Sequence, residues 1–132
     1  MIPLTTEQKG QIAFLKVQLE AAKKGAIVLL PTTPERFDLG LLYQGQFYRA
    51  QVKYADGKLP NAQGGIRLDL KRRKRLYTED EIDILLVYIP QIDKICWLRP
   101  AAFHNKTAIC LRLQPTKNGQ RSGCWMVEEF IW

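Results

Sequence analysis

The chain has 132 residues, enough for one domain (1–132) with a modest hydrophobic core. Its net charge of +7 favours polyanionic partners, with nucleic acid first and an anionic membrane surface second. No apolar stretch approaches the ~20 residues that span a bilayer, and no basic leader with an apolar run opens the chain. Three cysteines without a CxxC pair are typical of reduced thiols, so we expect a cytoplasmic protein.

The first predicted element is a helix. Thr5 with Gln8 three residues later is a capping signal, so the helix runs from Thr6 to about Lys24 and ends at Gly25. The apolar stripe predicted to be buried is Ile12, Leu15 and Leu19.

Strands dominate the rest of the chain. The apolar run from Ala26 to Leu30 predicts a strand buried on both faces, and a hairpin follows around Gln44-Gly45. Further strands are predicted at 66–70, 82–89, 95–98 and 108–113. A helix followed mostly by strands predicts an α/β domain with a central mixed sheet.

The hairpin brings polar side chains together. If Gln44-Gly45 is a two-residue loop, Tyr43 pairs with Gln46 and Asp38 lies opposite Gln51. Strand side chains alternate, so Lys53 shares the face of Gln51. A one-residue change of register would move Asp38 off that face.

These residue types suit phosphodiester hydrolysis. Asp38, Gln51 and the carbonyl of Val52 offer hard oxygen ligands for a divalent cation. Lys53 could orient or deprotonate a water, or neutralise developing charge. The alternative is a solvated hairpin face, where Gln and Lys are common, and the spacing alone leaves both interpretations open.

The stretches that carry a family resemblance cover nearly the whole chain. They are "KGQIAFLKVQLEAAKKGAIVLLP", "RFDL", "YRAQVK", "EIDILLVYIPQIDKICWL" and "ICLRLQPTKNGQ". Together they resemble the PD-(D/E)-X-K nuclease superfamily, in the branch with cyanobacterial homing endonucleases encoded in group I introns of transfer RNA genes. The resemblance implies a restriction-endonuclease-like core, cleavage of double-stranded DNA with Mg²⁺ or another divalent cation, and a homo-oligomer, dimer or tetramer. In this branch a glutamine replaces the usual second acid, so Gln51 is compatible with activity.

One position departs from the family pattern. The family places a glutamate on the first helix, where this chain has Gln11, with Phe14 at the other candidate position. We hypothesise that Gln11 replaces a catalytic glutamate, natively or by engineering, which would inactivate the enzyme. The alternative is that Gln11 is a surface amide.

Basic residues beyond the hairpin suggest a DNA-binding β-ribbon. Five consecutive cations follow the predicted strand 66–70, and amides and cations precede it. The alternative is a solvated charged loop. The predicted DNA contacts are Arg49, Lys58, Asn61, Gln63, Arg67, Lys71, Arg72, Arg73, Lys74 and Arg75.

Three functions therefore stay open. The first is a sequence-specific homing endonuclease that cuts double-stranded DNA. The second is a structure-selective nuclease of the same fold, similar to a Holliday junction resolvase. The third is a DNA-binding module that keeps the fold without catalysis.

Overall fold

The computed structural model describes residues 2–57, 64–70, 76–114 and 124–132. It contains two α-helices, α1 and α2, and eight strands, β1 to β8, within those ranges. The helices are Thr6–Lys23 and Pro100–Phe103. The strands are Ile27–Leu29, Leu39–Tyr43, Gln46–Tyr54, Gly65–Asp69, Ile84–Ile89, Lys94–Leu98, Ala108–Arg112 and Cys124–Met126.

The N-terminal helix confirms its capping signal. The Thr5 hydroxyl accepts from the Gln8 backbone N–H, and the Gln8 side chain accepts from the Thr5 backbone N–H. Gly25 follows the helix with φ of +73°, a conformation that glycine adopts at no steric cost.

The predicted buried stripe of α1 is wrong for Leu15 and Leu19, whereas Ile12 is partly buried against the core. Leu15 and Leu19 are about half exposed, and the helix instead buries Ala13, Val17 and Ala21 against the sheet. These residues recur every fourth position, and their small side chains allow a close approach of helix and sheet. Hydrophobicity was therefore a poorer guide to the buried face than residue size.

The strands form two sheets rather than one. A five-stranded mixed sheet has the order β1-β2-β3-β5-β6, and a three-stranded sheet has the order β4-β7-β8. In the five-stranded sheet the β3–β5 pair is parallel and its other pairs are antiparallel. The predicted mixed sheet and α/β class are confirmed, and the second sheet was not predicted.

The five-stranded sheet separates two cores. On one face α1 packs on Leu39, Ala50 and Leu86. On the other face the three-stranded sheet contributes residues such as Leu68 and Leu111, packed with Leu85 and others of β5 and β6. Within the described ranges, no helix combines the length and the apolar composition needed to cross a membrane.

The prediction that the first strand is buried on both faces is wrong. β1 is the edge of its sheet and pairs only with β2 among the described strands. Val28 packs against the core with α1, whereas Ile27 and Leu29 are about half exposed on the opposite face. The second sheet covers the β5 and β6 side of that face and leaves β1 open.

Candidate active site

The β2–β3 hairpin has the predicted register. Gln44 and Gly45 both have positive φ, the conformation of a two-residue type I′ turn, and Tyr43 pairs with Gln46. The same register pairs Leu39 with Ala50, so Asp38 falls opposite Gln51. The Asp38 N–H donates to the Ala50 carbonyl at 2.8 Å, which holds Asp38 beside β3.

The carboxylate of Asp38 is bound to the strand opposite. Its Oδ2 accepts from the Val52 backbone N–H at 2.9 Å. The N–H and C=O of one strand residue point to the same side, so the Val52 carbonyl also points toward the edge where β2 begins. The Asp38 carboxylate and the Val52 carbonyl therefore lie toward the same edge of β3.

Gln51 is the buried polar residue of the site. It is 5% exposed, and its partner in the register of β5 is Leu85. Within the described parts of the chain, no group donates a hydrogen bond to its buried Oε1. An unsatisfied buried acceptor costs free energy, so its retention calls for a functional explanation.

Lys53 shares the face of Gln51 and contacts an aromatic ring. Its Nζ lies 5.2 Å from the centre of the Tyr77 ring. Ala50, Val52 and Tyr54 point to the α1 side of the sheet, so alternation places Gln51 and Lys53 on the opposite side.

The oxygen donors fit a divalent cation of the Mg²⁺ type. Asp38 provides a carboxylate, Val52 a carbonyl toward the same edge, and Gln51 a buried amide oxygen without a donor among the described residues. No group of three or more His, Cys, Asp and Glu side chains in the described residues could hold a metal ion. The donor set is therefore one carboxylate with neutral oxygens, which leaves coordination positions for water and substrate phosphate.

Gln11 lies apart from these residues. It is exposed on α1, and α1 covers the face of β3 opposite to Gln51. The neighbouring Lys9 binds Asp56 just beyond β3 at 2.7 Å, so this end of α1 lies at the same end of β3 as the site. The predicted catalytic role of Gln11 stays a prediction.

Arg49 has an intramolecular role. Its Nε and one terminal nitrogen bind the two carboxylate oxygens of Asp83, at 3.1 and 3.0 Å, and its backbone N–H donates to the same carboxylate. The hydrogen bond from Arg49 lowers the pKa of Asp83. Because Asp83 lies just before β5, this ion pair fastens β3 to the start of the parallel strand. A DNA contact by Arg49 would compete with it.

The remaining predicted DNA contacts are largely untested. Arg67 lies on β4, is exposed, and binds Asp69 two residues away at 3.2 Å. Its strand pairs with β7 in the second sheet. The other eight lie outside the described residues: Lys58, Asn61, Gln63, Lys71, Arg72, Arg73, Lys74 and Arg75.

Two residues at the site were not predicted from the sequence. Tyr77 is fully buried beside Lys53, and Arg36 lies on the same ring with its Cζ 4.5 Å from the ring centre. Arg36 belongs to the "RFDL" stretch, so its proximity to Asp38 in sequence was the only signal.

This fold and hairpin define a restriction-endonuclease-like α/β domain with an acid just before β2 and an amide and a lysine on β3. The family model of the PD-(D/E)XK endonucleases matches residues 4–131, and the chain belongs to that family. A solved structure of a bacterial homing endonuclease, I-Ssp6803I, is similar in fold, with a TM-score of 0.73 and 21% identity over 97% of this chain and 89% of that one. No curated protein has a significantly similar sequence.

Proposed function

We propose that the chain is a divalent-metal-dependent endonuclease that hydrolyses phosphodiester bonds of double-stranded DNA at a specific site, as a homing enzyme does. The observation that carries the proposal is the buried Oε1 of Gln51, which has no donor among the described residues, on the strand residue that the hairpin register places opposite Asp38. Family membership supports nuclease chemistry, and the net charge of +7 supports a nucleic-acid substrate.

Each residue of the site has a role in this proposal. Asp38, Gln51 and the Val52 carbonyl would hold the cation, Mg²⁺ by preference, which supplies Lewis-acid polarisation of a phosphate oxygen. Lys53 would place a positive charge where negative charge develops on the phosphoryl group. Arg49 and Asp83 keep β3 and β5 together so that these groups stay aligned.

We further propose that the enzyme acts as a homo-oligomer. Each chain carries one such site, whereas a double-strand break requires two cuts. Side chains of β1 to β3 are exposed on the sheet face that the second sheet leaves open; they are Ile27, Leu29, Leu42 and Phe47. These four side chains are apolar, so the surface they form suits a protein partner better than DNA.

The proposal is tested by selection followed by cleavage. Duplexes bound by the protein in Ca²⁺ are selected from a random pool, Mg²⁺ is then added, and the released ends are sequenced. We expect defined cuts by the wild type and none by Lys53→Met, which should bind the same duplexes. A four-way junction serves as a competing substrate, and preference for it would favour the resolvase alternative.

The observation in favour of a non-catalytic module is the scarcity of acid at the site. The described residues offer no group of three or more metal-binding His, Cys, Asp and Glu side chains, and the first helix carries Gln11. Failure of both the wild type and Gln11→Glu to cut duplexes that they bind would establish this alternative and refute the proposed activity.

A further inference from the structure

We infer that Tyr77 is a positioning residue for Lys53: the face of its ring holds the lysine ammonium in place for catalysis. The inference rests on the proposed function. The Nζ of Lys53 lies 5.2 Å from the centre of the Tyr77 ring, within the ~6 Å over which a cation–π attraction acts.

The ring itself is firmly held. Tyr77 is among the largest fully buried side chains, and its carbonyl accepts from the Asn105 N–H at 3.2 Å. The ring belongs to the core between the two sheets, together with residues such as Leu70 and Ile82. A buried ring in a packed core has little freedom, so it offers a fixed surface to a flexible partner.

A second cation, the guanidinium of Arg36, contacts the ring. The Cζ of Arg36 lies 4.5 Å from the ring centre. Its Nε binds Glu81 at 2.8 Å, and a terminal nitrogen donates to the Leu76 carbonyl at 2.9 Å. Arg36 is thus fixed to the segment on both sides of Tyr77.

The ring therefore connects the two strands of the site. Arg36 lies two residues before Asp38, and Lys53 lies two residues after Gln51. Contacts with the same ring tie the approach to β2 to the end of β3. Lysine has a long flexible stem and several rotamers, so a fixed contact at its ammonium restricts where the charge lies.

The test replaces Tyr77 by Phe and then by phenylalanines with one, two and three fluorines, which withdraw charge from the ring face with little change of shape. We expect Tyr77→Phe to have the kcat of the wild type. Each added fluorine should then lower kcat further, to about a tenfold loss for the trifluorinated residue, while the affinity for DNA stays unchanged. Tyr77→Leu should lose a similar factor if it folds.

Tyr54 provides the matched control. It lies on β3 on the other face of the sheet, with Lys9 Nζ 6.0 Å from its ring centre. The same fluorinated residues at position 54 should leave kcat unchanged. Two results would overturn the inference, provided that the wild type is active. One is a kcat that does not change on fluorination at position 77, and the other is inactivation by Tyr77→Phe. An inactive wild type refutes instead the proposed function and, with it, a catalytic use of the ring.

Discussion

Replacing Gln51 by Met should stabilise the protein while it abolishes cleavage. Gln51 is 5% exposed, and its Oε1 lacks a donor among the described residues. A buried acceptor without a partner costs about 1–3 kcal/mol, and Met fills a similar volume without a polar oxygen. The variant Gln51→Met should regain that free energy and lose a metal ligand.

The expected size of the effect follows from the length of the chain. A stability change of 1 kcal/mol moves the melting temperature by about 4 °C in a chain of 132 residues. Gln51→Met should therefore melt about 4–12 °C above the wild type in EDTA. Gln91→Met is the matched control, because Gln91 is exposed and most surface substitutions change stability by less than ~0.5 kcal/mol.

Calorimetry in EDTA measures the stability, and Mg²⁺-dependent cutting of a selected duplex measures the activity. A lower melting temperature for Gln51→Met would show that Oε1 is satisfied in the folded protein. Full cleavage by a stabilised Gln51→Met would show that the oxygen binds no essential metal ion. Either result refutes the reasoning that connects burial of this amide to function.

Three further predictions concern other residues. Gln11→Glu should increase Mg²⁺-dependent cleavage of selected duplexes, because it restores the glutamate that the family pattern places on the first helix, and an unchanged rate would remove Gln11 from the mechanism. Asp83→Asn should lower the free energy of unfolding, measured in urea at pH 7, by about 1 kcal/mol. This value is discounted for solvent screening, because the side chains of Arg49 and Asp83 are both about one-third exposed. The folded-state pKa of Asp83 is lowered, so this contribution is present above its unfolded pKa of about 3.9 and is lost as pH falls through the folded value. A difference from the wild type that does not shrink as pH falls below the unfolded pKa would contradict it. Cys110 and Cys124 should form a disulfide with oxidised glutathione, because their sulfurs lie 2.6 Å apart. Burial raises the pKa of Cys110 to about 12, so the rate should rise with pH, as measured by the loss of two hydrogen atoms from the mass of the chain while glutathione disulfide is reduced to two thiols.

Local signals account for what could be predicted. The capping box of α1 and the type I′ turn at Gln44-Gly45 involve residues three or fewer positions apart, so the sequence carries them directly. The turn then set the register that brings Asp38 opposite Gln51, without any knowledge of the rest of the sheet.

Long-range packing accounts for what was missed. The edge position of β1 depends on which strands pair over long sequence separations, and an apolar run does not reveal strand pairing. The same holds for the second sheet, where β4 pairs with β7, some forty residues later. Tyr77 meets Lys53 only because the segment before β5 folds back onto β3, so its role had no sequence signal.

The unequal lengths of β2 and β3 explain why the site lies where it does. β2 begins at Leu39, whose partner is Ala50, so β3 continues to Tyr54 with no strand beside it on the β2 side in the described part of the chain. The Asp38 carboxylate satisfies the Val52 N–H at this open edge, and the Val52 carbonyl points to the same space. A cation held there by one carboxylate and neutral oxygens would be bound weakly until a DNA phosphate completed its coordination. Under the proposed function, hydrolysis would then depend on prior docking of the duplex by the basic surface. The enzyme would therefore cut DNA only at sites that it binds well.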